Sequence, residues 1–131
     1  MNATAQGAAR QIPDQARERA TPLDARTMRE TALRALGGAA ESLPPDDLDS
    51  VTQALRGMLL LLVPEVTEAA GRYPKGDVAR VGALAAVEEA QRRLRARPVA
   101  AGSPWALRYT RRLARAVMAL MDHYVHLGGE G

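Results

Sequence analysis

The stretch LDSVTQALRGMLLLLVPEV, residues 48–66, decides the fold class. Leu48, Val51, Leu55, Met58, Leu59, Leu62 and Val66 recur at intervals of three and four, which stacks them along one face of an α-helix. Leu60, Leu61 and Val63 make its middle apolar all the way round, so this helix is expected at the centre of its domain or against another subunit. The purely apolar run 58–63 falls far short of the roughly 20 residues that cross a bilayer. Pro64 lacks an amide proton and crowds the carbonyl of Leu60, which predicts a kink with Glu65 just beyond it. Immediately upstream, Ser42-Leu43-Pro44-Pro45-Asp46-Asp47 ends one helix and begins this one. Two prolines exclude continuation, and two acids in a new first turn face its positive end.

Three further helices follow on either side. Thr21-Pro22-Leu23-Asp24 opens the first, with a hydroxyl cap, a proline preset for the first helical position and an acid against the dipole. Met28, Ala32, Leu33 and Leu36 continue it, and Gly37-Gly38 either ends it or lets it fray toward Glu41. Beyond the break Arg72-Tyr73-Pro74-Lys75-Gly76-Asp77, a third helix is predicted over 77–97. Val81, Leu84, Val87, Ala90 and Leu94 are expected to face inward, and Gly82-Ala83 and Ala85-Ala86 are small enough for a close neighbour. Ser103-Pro104 opens a fourth helix expected to reach Leu127 and stop at Gly128-Gly129. Its apolar arc runs from Tyr109, Leu113, Val117, Leu120 and Tyr124 round to Met118, Met121 and Val125. That is about half the circumference, more than the ~100° stripe of an ordinary surface helix. Arg108, Arg111, Arg112 and Arg115 take the far side. With no alternating strand pattern, the chain is expected to be all-α: an up-down-up-down four-helix bundle over 21–131. A mobile segment, 1–20, precedes it, with only Ile12 as a substantial apolar side chain.

A chain of 131 residues supports one domain, and 47% apolar residues provide its core. That core is aliphatic, because there is no Phe and only Trp105 with three Tyr. The absence of Cys excludes disulfides, thiolate metal sites and cysteine nucleophiles. No basic segment followed by an apolar core stands at the N-terminus, so a cytoplasmic location without membrane attachment is expected. The net charge is +3, and Lys75 is the sole lysine beside 17 arginines. Charge is unevenly spread: residues 72–115 hold eleven basic and three acidic side chains, while residues 41–70 set six acids against Arg56 alone.

Candidate site residues are few. His123 and His126 stand one turn apart and could share a metal, but the Glu-x-x-His pattern of di-metal bundles is missing, so no metal or other cofactor is expected. Glu65 and Glu68 form a possible carboxylate pair after the proline. Arg56, the one cation of an acidic helix, is expected half buried against a carboxylate. The basic surface of helices three and four could meet phosphate, yet it lacks the amide and aromatic side chains that read bases, which argues against nucleic acid. No Gly-rich phosphate loop, nucleophile elbow or zinc-ligand spacing occurs.

Two stretches, residues 55–66 with their Leu-Arg-Gly and Pro-Glu elements and residues 111–124 ending in Asp122-His123-Tyr124, resemble a family of short actinomycete proteins of unknown function filed under natural product biosynthesis. The resemblance covers about 27–128. It implies a helical protein in a secondary-metabolite setting and carries over no catalytic residue. Met58 stands where relatives are expected to have a polar residue, often His. Two functional expectations follow. One is an accessory or regulatory module that binds a pathway protein or ligand, itself a homodimer through helices two and four, because its apolar surface exceeds what a bundle should need. The alternative is a small cofactor-free enzyme or carrier for an apolar molecule. Its pocket would lie at the bundle end, lined by Trp105, Tyr109 and Tyr124, with Glu65 or His123 supplying protons.

Overall fold

The computed structural model describes residues 24–97 and 99–128. The segment 1–20, the cap expected at Thr21-Pro22 and the stop at Gly129 lie outside the described residues. Four α-helices follow one another: α1, Ala25–Leu36; α2, Pro45–Gly71; α3, Val78–Arg95; and α4, Ala106–His126. A single 3-10 turn, Gly38–Ser42, joins α1 to α2.

Local chemistry explains each boundary. Asp24 is the N-cap of α1: its carboxylate accepts the Thr27 amide at 3.2 Å and the Thr27 hydroxyl at 2.7 Å. The Thr27 hydroxyl is the main cause holding the Asp24 carboxyl below its ordinary range. Pro45 opens α2 in the first turn, where its missing amide proton would have had no partner. Pro64 does not end α2, which continues seven residues further to Gly71. Asp77 caps α3 by accepting the Ala79 amide at 2.9 Å, and Gly76 supplies the positive φ of +85° that the turn before it requires. Ser103 serves a turn and not the helix cap expected of it. Its hydroxyl accepts the Trp105 amide at 3.1 Å, and α4 begins three residues later. Gly128, at φ +92°, takes the left-handed conformation that closes α4.

Contacts between side chains give the helix directions. Arg111, early in α4, reaches the carbonyls of Ala35 and Gly37 at the end of α1, so these two run antiparallel. Arg56, early in α2, reaches Leu94 near the end of α3. Thr52 and Thr110 meet near the starts of α2 and α4, which therefore run parallel. The arrangement is the expected up-down-up-down bundle, but a flattened one. In a square bundle α2 and α4 would be diagonal; here they pack against each other more extensively than any other pair. Both also touch α1 and α3, which sit on opposite sides of the central pair.

This packing absorbs the wide apolar arc of α4. Leu55, Leu59, Leu62 and Val66 of α2 join Leu113, Val117 and Leu120 of α4 as the most deeply buried side chains. The prediction for α3 needs correction. Ala83, Val87 and Ala90 are buried, Leu84 and Leu94 only partly, and Val81 is 55% exposed. The small residues face the core because they let α3 lie close to its neighbours, and Val81 is turned out as a result.

Within the core, the hydroxyls of Thr52 and Thr110 stand 2.6 Å apart, and each lies 2.9 Å from the carbonyl four residues before it. Two protons serve three contacts, so the pair is saturated with acceptors. Truncating Leu59 to Ala is expected to cost about 2–5 kcal/mol in denaturant unfolding. By contrast, Thr52→Val with Thr110→Val strands no donor and is expected to change stability by less than about 1.5 kcal/mol. A larger loss in the double valine variant would show that the hydroxyl pair holds the two helices together.

Candidate functional site

Arginine organises the surface of the bundle, in two distinct ways. Some arginines serve helix ends. The last carbonyls of an α-helix lack intrahelical partners, and neighbouring elements supply them here. Arg56 donates to the Leu94 carbonyl at 3.1 Å and to the Tyr109 hydroxyl at 2.7 Å, tying α2 to the end of α3 and the start of α4. Arg111 donates to Ala35 and Gly37 at 3.0 and 2.9 Å, closing the end of α1, with Glu41 at 3.9 Å. Arg80 donates to the Tyr73 carbonyl at 2.7 Å across the α2–α3 connection. The carboxylate expected beside Arg56 is replaced by a carbonyl and a phenol.

A second set forms an open face. Arg108, Arg112 and Arg115 recur at i, i+4 and i+7 along α4, and Arg93 and Arg97 stand across the groove on the α3 side. Arg93, Arg97, Arg108 and Arg112 line an open groove of about 300 Å³ that includes Trp105, 58% exposed, with the Arg108 guanidinium 5.1 Å above its ring centre. Glu89 pairs with Arg93 at 2.6 Å and Arg92 at 2.7 Å. The hydrogen bond from Arg92 is the main cause holding the Glu89 carboxyl below the usual glutamate range. Among the described residues, Arg95, Arg97, Arg112 and Arg115 have no carboxylate partner.

The six sequence candidates do not form one site. Arg56 and Tyr109 come together, beside a cavity of about 40 Å³ that also touches Leu48, Thr52 and Ala106. That space suits about one water molecule, not an apolar metabolite. Trp105 and Tyr109 are at one end of α4 and Tyr124 near the other, about 22 Å further along at 1.5 Å per residue from Tyr109. The three aromatics therefore do not line a common pocket. His123 is half-buried against Gly82 of α3, where an added methyl would come 3.4 Å from its ring carbon. Glu65 is half-exposed on α2 and makes no hydrogen bond or ion pair among the described residues. No cluster of three potential metal-ligating side chains occurs among the described residues, and none of their helices is long and apolar enough to cross a membrane. The open arginines were missed as site residues, although the spacing of Arg108, Arg112 and Arg115 marks one helical face.

Two consequences are measurable. Arg56→Met leaves the Leu94 carbonyl and Tyr109 hydroxyl without their donor, and is expected to cost about 1–3 kcal/mol. Hydrogen exchange should accelerate at the end of α3 before the rest of the bundle. Uniform acceleration would contradict a local latch. For Glu89, a depressed folded-state pKa means that its pairing favours the fold at neutral pH and is lost as pH falls through that value. An NMR titration should therefore place its midpoint below that of an unpaired glutamate, and Arg92→Ala should raise it. An unchanged midpoint would contradict the assigned cause.

No curated protein and no solved structure matches this chain. A family model, however, matches residues 26–129, nearly the whole described bundle. The chain belongs to DUF6415, a family of unknown function.

Proposed function

We propose that this protein is a small accessory or regulatory module that acts by binding, and that its contact surface is the arginine face of α3 and α4. The observation that carries the proposal is the set of exposed arginines that have no carboxylate partner among the described residues, beside an exposed Trp105. Side chains needed only for folding find partners inside the chain, as Arg56, Arg80 and Arg111 do. A row of like charges on one face instead repels itself, and an anionic partner relieves that repulsion. Arginine suits the role because its planar fork donates two parallel hydrogen bonds to a carboxylate. We further infer that the module serves a secondary-metabolite pathway of an actinomycete in the cytoplasm, a reading supported by the resemblance of residues 55–66 and 111–124 to proteins filed under natural product biosynthesis.

An acidic protein surface fits this face better than nucleic acid. Trp105 carries Arg108 over one face of its ring and Tyr109 is half-buried, so the surface offers no row of aromatic platforms on which successive bases could stack. Homo-oligomerisation stays within the proposal, but not through the apolar stripes of α2 and α4, which the core consumes.

A labelled peptide rich in Asp and Glu, followed by fluorescence anisotropy in low salt, tests the proposal. Removing three exposed contacts of about 0.5 kcal/mol each, in Arg108→Ala with Arg112→Ala and Arg115→Ala, should weaken binding about tenfold. Equal binding by wild type and variant would overturn it. So would a single-stranded oligonucleotide of matched charge binding far more tightly than the peptide.

A further inference from the structure

We infer that the acidic surface this face receives is the outer side of α2 on a second copy of the chain. The inference rests on the binding reading above and names its partner.

Among the described residues, no acid of α2 forms an ion pair. Asp46, Asp47, Asp49 and Glu68 are exposed. Arg56, the one basic side chain of α2, is committed to Leu94 and Tyr109. Because α2 and α4 meet through their buried stripes, their outer faces point away from each other. Asp46 and Glu68 of α2 therefore point away from Arg108 and Arg115 of α4, out of reach within one molecule, while Asp49 flanks the Arg56–Tyr109 contact at the edge of α2. A second copy brings them together.

The α2 surface also has the composition of a contact. Between Asp49 and Glu68 it exposes Leu60, at 62%, and Leu61, at 48%, beside Gly57 and Pro64. An apolar centre flanked by charge is the pattern of an interface with a dry middle and a polar rim. The opposing face supplies Trp105 and the methylene stems of arginines, which cover apolar surface while their heads reach carboxylates. Spacing agrees as well. Asp46 and Asp49 rise about 4.5 Å along α2, as do Arg112 and Arg115 along α4. Packing α2 against α2 of another copy in antiparallel fashion would set acid against acid, which disfavours that alternative. Because the two faces point in different directions, contact between unlike surfaces adds further copies, closing into a ring or extending.

Sedimentation of the full chain at increasing concentration, in low and in high salt, provides the test. At about 20 mM salt the weight-average mass should climb from 14.0 kDa to at least about twice that value, and at about 500 mM it should fall back. Two charge-neutralised proteins then identify the surfaces. Arg112→Gln with Arg115→Gln alters one face, and Asp49→Asn with Glu68→Gln the other. None of the four side chains makes a hydrogen bond or ion pair among the described residues, and circular dichroism checks that both proteins fold. Each alone should stay monomeric. Their equimolar mixture should form a heterodimer that grows no further, because only one complementary pair of faces survives. A wild-type chain that stays monomeric in low salt, or a mixture that does not associate, overturns the inference. If the acidic peptide still binds in that event, the arginine face keeps its function and takes a different protein. If peptide binding also fails, both readings fall.

Discussion

Leu55, Leu59 and Leu62 on α2 share the centre of the core with Leu113, Val117 and Leu120 on α4, and this central contact constrains everything around it. In a square bundle each helix has two neighbours and a central channel to fill. Here the two most apolar helices close that channel themselves, so the shorter α1 and the alanine-rich α3 are left to cover the flanks. Burial of these leucines is the main favourable contribution to folding, at roughly 1.5–3 kcal/mol for each fully buried side chain. The Thr52–Thr110 pair sets the two helices at one height, since a shift by one turn would leave its polar atoms against aliphatic side chains.

From this pairing follows the division of labour among the arginines. Helix ends that converge at one end of the bundle expose carbonyls, and long guanidinium side chains from adjacent helices are well placed to satisfy them. Arg56 closes α3 and Arg111 closes α1. Arg108, Arg112 and Arg115 emerge on the side of α4 turned away from α2, and among the described residues none of them pairs with a carboxylate, Glu89 nearby being taken by Arg92 and Arg93. The same geometry sends Asp46 and Glu68 of α2 the opposite way. A monomer polarised in this manner is stable because its charges are solvated, and it presents complementary surfaces to its surroundings.

Much of the architecture was legible in the sequence. The stripe 48–66 and the arc of α4 repeat large apolar residues at helical spacing, and Pro44-Pro45, Gly76-Asp77 and Gly128 punctuate them with turn chemistry. Legibility failed where the signal was volume and not hydrophobicity. In α3, Ala79, Ala83, Ala86 and Ala90 trace one narrow face, while the larger Val81, Leu84 and Leu94 spread over a wider arc beside it. The alanines won the inner position because close helix approach outweighs the burial of one valine. The excess of apolar surface that suggested a dimer through α2 and α4 is largely the surface by which these helices touch each other. The partner of Arg56 was hidden for a different reason: a backbone carbonyl has no letter in the sequence, so a search for acids could not find it. The separation of Trp105 from Tyr124, in contrast, followed from counting residues along α4.

Cross-linking across the central pair measures this account most directly. The chain has no cysteine, so Thr52→Cys with Thr110→Cys introduces the only two thiols. Side chains whose hydroxyl oxygens stand 2.6 Å apart are placed to form a disulfide without moving the backbone. On mild oxidation the variant should convert fully to an intramolecularly bridged monomer, unfolding at higher temperature than its reduced form because the bridge restricts a long loop of the unfolded chain. Failure to bridge, or bridges formed only between molecules, would show that α2 and α4 do not meet, and the flattened bundle would have to be abandoned.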